Sequence, residues 1–291
     1  MSLEAPMHPA DCEPLSEYPE SAAGHSVRPV LRADAAGARA AQDAIACEQA
    51  VALEYNGIAH AALLASPLHV EELALGFSFT EGIIESADEL RDIAVRATPE
   101  GLVAEMRIAA ARLHALKLRR RTLAGRSGCG LCGVESLAQV RRDLPPLAAP
   151  ERPWPPGAIE RALGELGRRQ PLHNLTGATH AAAWADAQGR LAWLYEDVGR
   201  HNALDKLIGR LLREPVDRGE GFVVTSSRAS FEMVQKTHAA GIRALVAVSA
   251  PTSLAIRLAS EAGMMLAGFA REGRYTIYTH PEYLDLDGKV P

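Results

Sequence analysis

Phe222-Val-Val-Thr225 and Ala244-Leu-Val-Ala-Val248 are two short apolar runs, and the residues between them, 231–240, space their apolar side chains as a helix does. A second helical segment, 254–262, follows, and then two more short runs at 265–269 and 275–278. Short apolar strands alternating with helices imply a sheet covered by helices, hence a three-layer α/β/α domain. Just upstream, 181–185 and 190–195 flank Asp186-Ala-Gln-Gly189 and read as a hairpin. Glu196-Asp-Val-Gly-Arg-His-Asn202 then leads into a helix over 203–213, whose stripe is Leu204, Leu207, Ile208 and Leu211.

Six prolines between Pro145 and Pro156 form a stiff linker and mark a domain boundary. The half before it reads as α+β. Val51, Leu53 and Tyr55 alternate with Ala50, Ala52 and Glu54, and Asn56-Gly57 supplies the positive φ angles of a type I′ turn before 58–64. A helix is predicted over 70–81, with Gly82 as its stop, and a second hairpin over 92–96 and 102–108. Residues 1–26 carry Glu4, Asp11, Glu13, Glu17 and Glu20 with no Lys or Arg, a mobile acidic tail. The expected division is a tail to 26, an α+β domain over 27–144 carrying the thiol loop, a linker over 145–157, and an α/β domain over 158–291.

The formal net charge of −5 over 291 residues argues against a general nucleic-acid binder. No run reaches the ~18 uncharged apolar residues of a membrane-spanning helix, and the N-terminus lacks a basic segment leading into an apolar core. Four cysteines in a chain this long are not a disulfide framework, so a cytoplasmic protein is expected.

Two of those cysteines carry the chemistry. In Gly125-Arg-Ser-Gly-Cys-Gly-Leu-Cys-Gly133, Cys129 and Cys132 stand at C-x-x-C spacing among four glycines. Seven Lys or Arg fall between Arg107 and Arg126, and no Asp or Glu lies between Glu105 and Glu135. Positive charge favours the thiolate, which is the reactive form. A helix from Val134 would add its dipole at Cys132.

Four chemistries compete for the pair. Structural zinc needs four ligands, and neither a second C-x-x-C nor H-x3-5-H exists here. A zinc deaminase would pair H-x-E with P-C-x-x-C; His69-Val-Glu71 matches the first half, but Gly128 replaces the proline. A dithiol oxidoreductase lacks its usual βαβ setting upstream. A sulfur carrier uses the same exposure, charge and steric freedom, and composition does not separate these last two.

In the second half, polar clusters fall beyond the carboxyl ends of the predicted strands, where open α/β sheets bind ligands. Ser226-Ser227-Arg228 and Ser249-Ala-Pro-Thr-Ser253 offer hydroxyls and helix N-terminal amides. Gly268-Phe-Ala-Arg-Glu-Gly-Arg274, read as the connection between the last two strands, combines an aromatic face with two guanidiniums: Phe269 can stack on a base while Arg271 or Arg274 grips phosphate. A plain polar β-turn explains it equally well. His180 and the Asp197–Asn202 segment are further candidates, with a structural histidine and a helix cap as the bland readings.

Several blocks, taken in order, resemble the FdhD family of formate dehydrogenase accessory sulfurtransferases: Glu71-Glu-Leu-Ala-Leu-Gly-Phe77 with Thr80-Glu-Gly-Ile-Ile84, Ser127-Gly-Cys-Gly-Leu-Cys-Gly133, Thr176-Gly-Ala-Thr-His-Ala-Ala182, Asp197-Val-Gly-Arg-His-Asn-Ala-Leu-Asp-Lys206, Thr225-Ser-Ser-Arg-Ala-Ser-Phe-Glu232 and Val248-Ser-Ala-Pro-Thr-Ser-Leu-Ala255. The resemblance runs from about Asp43 to His280.

The resemblance implies a cytoplasmic, homodimeric carrier. It takes sulfur from a cysteine desulfurase and passes it to the molybdenum (or tungsten) bis-guanine-dinucleotide cofactor destined for formate dehydrogenase. It implies Cys129 as the persulfide-bearing thiol, with Cys132 auxiliary. It also implies a cofactor-contacting segment over 269–274, namely Phe269, Ala270, Arg271, Glu272, Gly273 and Arg274, with GDP as a mimic of the cargo. Ser226, Arg228, His180 and His201 are the expected further contacts. The implied second domain resembles the cytidine deaminase fold without its zinc ligands, so no protein-held metal is expected. Ser127-Gly128 departs from the Ser-Ser of many members, and Ala270 stands where a relative can carry cysteine.

Overall fold

The structure is a computed structural model that describes residues 24–123, 142–155, 157–271 and 273–286. Most of the expected acidic tail, Cys129, Cys132, the helix expected from Val134, and Glu272 lie outside the described residues.

The first half opens with a long antiparallel ribbon, β1 (His25–Asp34) and β2 (Gly37–Ala46). No ribbon was expected here, and its first strand begins inside the stretch assigned to the tail. Val27, Leu31 and Ile45 are exposed on it, so burial imposes no alternation for a sequence reading to find.

Next come β3 (Gln49–Tyr55), β4 (Ile58–Ala65), α1 (Val70–Thr80), β5 (Leu90–Thr98), β6 (Gly101–Ile108) and α2 (Ala110–Leu123). The two expected hairpins join into one sheet of order β4-β3-β6-β5, with β3 parallel to β6 at its centre. Asn56 and Gly57 have φ of 50° and 76°, as the type I′ turn requires. The alternating residues Val51, Leu53 and Tyr55 are buried against Leu73, Ala74 and Leu75 of α1. Basic α2 buries Leu116 and is tied down by Arg112, which donates from Nε to Glu89 at 2.8 Å.

The second half comprises α3 (Ala158–Arg168), α4 (Pro171–Thr176), β7 (His180–Ala185), β8 (Leu191–Asp197), α5 (Arg200–Leu211), β9 (Phe222–Thr225), α6 (Phe231–Ala239), β10 (Ala244–Ala247), α7 (Ser253–Glu261), β11 (Met265–Arg271) and β12 (Arg274–Thr279). Its mixed sheet has the order β12-β11-β10-β9-β7-β8, and the three central-to-edge strands β9, β10 and β11 run parallel. One face packs on α5, α6 and α7 through Leu204, Leu207, Met233, Val234 and Leu258. The other packs on α3 through Ile159, Ala162 and Leu166, with Trp154, Tyr283 and Leu284. This is the α/β, three-layer arrangement expected. Neither α3 nor α4 was anticipated.

The proline-rich stretch does not simply float between the halves. Leu147 donates to Ala262 O at 2.9 Å. Trp154 is buried, donates to Tyr283 O and accepts from Asp285 N, both at 2.8 Å.

The halves meet where α1 crosses α5. A Cβ built on Gly76 would stand 1.8 Å from Asp205 O, and one on Gly209 would stand 2.0 Å from Glu72 O. Glycine at both places lets the two backbones touch.

Candidate functional site

Because β9 and β10 are parallel and β7 is antiparallel to β9, the end of β9, the end of β10 and the start of β7 lie on one edge of the sheet. His180 opens β7 there, Ser226 follows β9, and β11 brings Ala270 and Arg271 alongside. These four, with Gly273, line a cleft of about 650 Å³. Its opposite wall is α3 and the α3–α4–β7 connections, contributing Glu160, Gln170, His173 and Thr179. An adjoining groove of about 670 Å³ is lined by Glu160, Phe269, Arg271, Gly273, Arg274, Tyr275 and Thr276. Glu160, Arg271 and Gly273 belong to both.

The segment expected to be a seven-residue connection is mostly strand. β11 runs through Arg271, and the pairing with β12 slips between Gly268↔Thr276 and Arg271↔Arg274. A slip of this kind re-aims side chains. Phe269 takes φ 52°, a left-handed conformation that costs an aromatic residue about 1–3 kcal/mol. Its amide is anchored to Ser249 O at 3.1 Å, and its ring is left 49% exposed, while Ala270 is fully buried. The strained residue is the one whose ring faces the groove.

Ser226 is held at both ends of its backbone unit and side chain. Its N–H donates to Ala181 O at 3.0 Å, and its Oγ accepts from Ala181 N at 2.8 Å. The hydroxyl proton remains to be donated into the cleft. Ser227 is buried against Thr225 at 3.0 Å and fastens the strand end. Arg228 is exposed and lines neither cavity.

His180 is half-buried. Loss of solvent, helped by the nearby Arg200 cation, pushes its pKa below the ordinary histidine value, so it is neutral around pH 7. His201 turns elsewhere, pairing with Glu232 at 2.8 Å, and does not line the cleft. His173 shares a hydrogen bond with Thr179 O at 2.8 Å. Glu196 holds this wall together, accepting from Leu172 N, His173 N and Thr179 Oγ1 at 3.0, 2.7 and 3.0 Å.

The Asp197–Lys206 block, dense in functional groups, builds a joint between the halves. Asp197 is buried and accepts from Ser66 N at 3.1 Å, Gly199 N at 2.7 Å, Asn202 Nδ2 at 3.1 Å and Lys206 Nζ at 2.6 Å. Lys206 is equally buried and also donates to Ser66 O at 3.0 Å. A second buried cluster lies nearby. Lys236 donates to Asp205 at 2.9 Å, Glu81 at 2.8 Å and Thr80 at 2.9 Å, and Thr80 donates to Asp205 at 2.8 Å. The helix cap expected of Asp197 or Asn202 falls to the backbone of Gly199.

The cleft wall formed by α3 and α4 is what sequence reasoning missed. Glu160 and Gln170 belong to no motif, but Ile159, Ala162, Leu163 and Leu166 at helical spacing are a signal from which α3 could have been found. Among the described residues, no three His, Cys, Asp or Glu side chains are grouped to hold a metal ion. No helix among them is long and apolar enough to cross a membrane.

The family model described as the FdhD/NarQ family matches residues 46–285. A sulfur carrier protein FdhD of Bordetella petrii is 52% identical over 256 residues, spanning 88% of this chain and 92% of its own. A sulfur carrier protein FdhD of Variovorax paradoxus is 50% identical over 268 residues, spanning 92% and 96%. A crystal structure from Desulfotalea psychrophila, of a protein assigned as a formate dehydrogenase accessory protein, superimposes with a TM-score of 0.69 at 24% identity. The match covers 89% of this chain and 99% of that one, and at such identity it speaks for the fold alone.

Proposed function

The chain belongs to the FdhD/NarQ family, and on that premise we propose that it is a cytoplasmic, homodimeric sulfur carrier serving formate dehydrogenase. It takes sulfur from a cysteine desulfurase and delivers it to a molybdenum bis-guanine-dinucleotide cargo. The observation that carries this reading is that the span shared with the family, 46–285, contains both the Cys129/Cys132 pair and the Phe269–Arg271 groove. A dithiol alone fits an oxidoreductase, whereas a dithiol on the same chain as a groove lined by an aromatic ring and two guanidiniums fits delivery to a nucleotide-bearing acceptor.

The Cys129 thiolate attacks the terminal sulfur of the desulfurase persulfide. A bond forms between that sulfur and Cys129, the donor S–S bond breaks, and the desulfurase thiolate leaves. Delivery as sulfide balances when the Cys132 thiolate then attacks the Cys129 sulfur. The terminal sulfur leaves as HS⁻ toward the cargo, and a Cys129–Cys132 disulfide remains for a cellular dithiol to reduce. In the second half, Phe269 supports the guanine ring, Arg271 and Arg274 meet phosphate oxygens, and Ser226 and His180 donate or accept at the cleft floor.

The test is mass spectrometry after incubation with desulfurase and cysteine. Wild type should gain the mass of one sulfur atom, and Cys129→Ala should not. A gain that persists in Cys129→Ala and disappears in Cys132→Ala would reverse the two roles. Insulin reduction by the wild type with thioredoxin reductase, in the absence of any persulfide, would replace the carrier by an oxidoreductase.

His180 gives the cleft a pH signature. Its pKa is depressed in the free protein, and an anion bound beside it would raise that pKa, so binding takes up a proton. GDP affinity of the wild type relative to His180→Gln should therefore increase as pH falls from 7.5 through about 6.5, the ordinary histidine value. Parallel calorimetric profiles for the two proteins would remove His180 from the phosphate site.

A further inference from the structure

Glu160 is out of place in a groove that offers two arginines to a phosphate. It stands in the first turn of α3, next to Ile159, which is fully buried in the core, so its backbone is fixed. It lines both the cleft beside His180 and the groove beside Phe269. Its Oε2 is buried and takes no hydrogen bond among the described residues. A buried carboxylate oxygen without a donor loses the solvation it had in water and gains nothing in return. A negative charge here also repels the phosphates that Arg271 and Arg274 would attract. The first penalty disappears if a bound molecule brings a pair of N–H donors to this carboxylate, and those charge-assisted bonds offset the second.

We infer that Glu160 reads the 2-amino-4-oxopyrimidine edge of the cargo, accepting from its ring N–H and exocyclic amine while Phe269 stacks on the ring. This rests on the nucleotide groove proposed above. The edge carries two parallel donors that match the fork of a carboxylate. Adenine turns a ring-nitrogen lone pair toward the same place, leaving the carboxylate opposed and the site discriminating. Two rings of the cargo share the edge, the guanine of the nucleotide and the pterin, and Arg271 beside Glu160 favours the end that carries phosphate.

Binding of GDP and ADP is measured by calorimetry on the full-length wild type, Glu160→Ala, Glu160→Gln and Arg271→Ala, with a free pterin as a further ligand. The readout is the ratio of GDP to ADP affinity, which a general electrostatic or folding effect leaves alone. Wild type should prefer GDP by roughly tenfold to a hundredfold, the worth of charged hydrogen bonds to one carboxylate. Both Glu160 variants should bring the ratio close to one, with ADP affinity kept or improved. Arg271→Ala should weaken both nucleotides and keep the ratio. Pterin binding that Glu160→Ala removes, with a GDP to ADP ratio near one in wild type, would support the edge reading and assign the seat to the pterin. A wild-type preference for GDP that survives in Glu160→Ala would overturn the inference and leave the groove standing. Wild type binding none of the three ligands would overturn the groove itself, and the role of Glu160 with it.

Discussion

Asp197→Ala should cost the fold about 3–5 kcal/mol, the usual penalty for stripping one partner from a buried ion pair. Four donors converge on this carboxylate: two backbone amides, the Asn202 amide and the Lys206 ammonium. Without it the ammonium is left fully buried with Ser66 O as its acceptor. Lys206→Met should cost less, because Asp197 keeps three N–H donors.

The comparison has a pH dependence with a definite sign. Burial already pushes the Lys206 pKa below its ordinary value of 10.5, and Asp197 pulls it back. In Asp197→Ala that pull is gone and the folded pKa falls further. A group whose folded pKa is depressed disfavours the fold below its unfolded pKa and stops doing so above it. The deficit of Asp197→Ala relative to wild type should therefore shrink as pH rises from 7 toward about 10. Urea midpoints across that range check it, and a deficit that widens with pH would refute the pairing.

Gly209→Ala and Gly76→Ala should each destabilise strongly, even though alanine is the better helix former by up to about 1 kcal/mol. Each new methyl would lie about 2 Å from a backbone carbonyl on the opposite helix, at 2.0 Å and 1.8 Å. A flexible side chain could move aside, but a helix backbone fixed by its own hydrogen bonds can yield only by shifting whole. Overpacking of this kind costs roughly 1–3 kcal/mol and often more, so the net change is a loss. Gly167 on α3 is the internal control, since a Cβ there meets nothing within 4 Å. Gly167→Ala should hold or raise the thermal midpoint where the crossing variants lower it.

The elements legible in the sequence are those whose burial leaves a local pattern in their own residues. The β3–β4 hairpin shows because Val51, Leu53 and Tyr55 face one core and Asn56-Gly57 carries the turn. The β9, β10 and α6 succession shows because each strand is buried at every residue and apolar but for Thr225. The β1–β2 ribbon has no such contrast, whereas α3 carries a readable stripe of Ile159, Ala162 and Leu166 directly behind the prolines that read as linker.

The same logic governs the site. Phe269, Arg271 and Arg274 mark a candidate segment in the sequence, but the slip that turns Phe269 outward is a property of pairing with β12. Asp197 and Lys206 resemble a helix lead-in because their other partner, Ser66, lies in the other half of the chain. Glu160 looks like one more charge on a solvated helix face until the groove is built around it.

The bridge between Trp154 and Leu284 has a consequence for how such a chain is made. The second half begins and ends at neighbouring points, so no strand or helix within it has to reach outside to complete its sheet. The contacts that fasten Trp154 also form late in synthesis, since its backbone bonds are made by Tyr283 and Asp285. Translation therefore delivers Cys129 and Cys132 well before the groove beside Phe269 is finished.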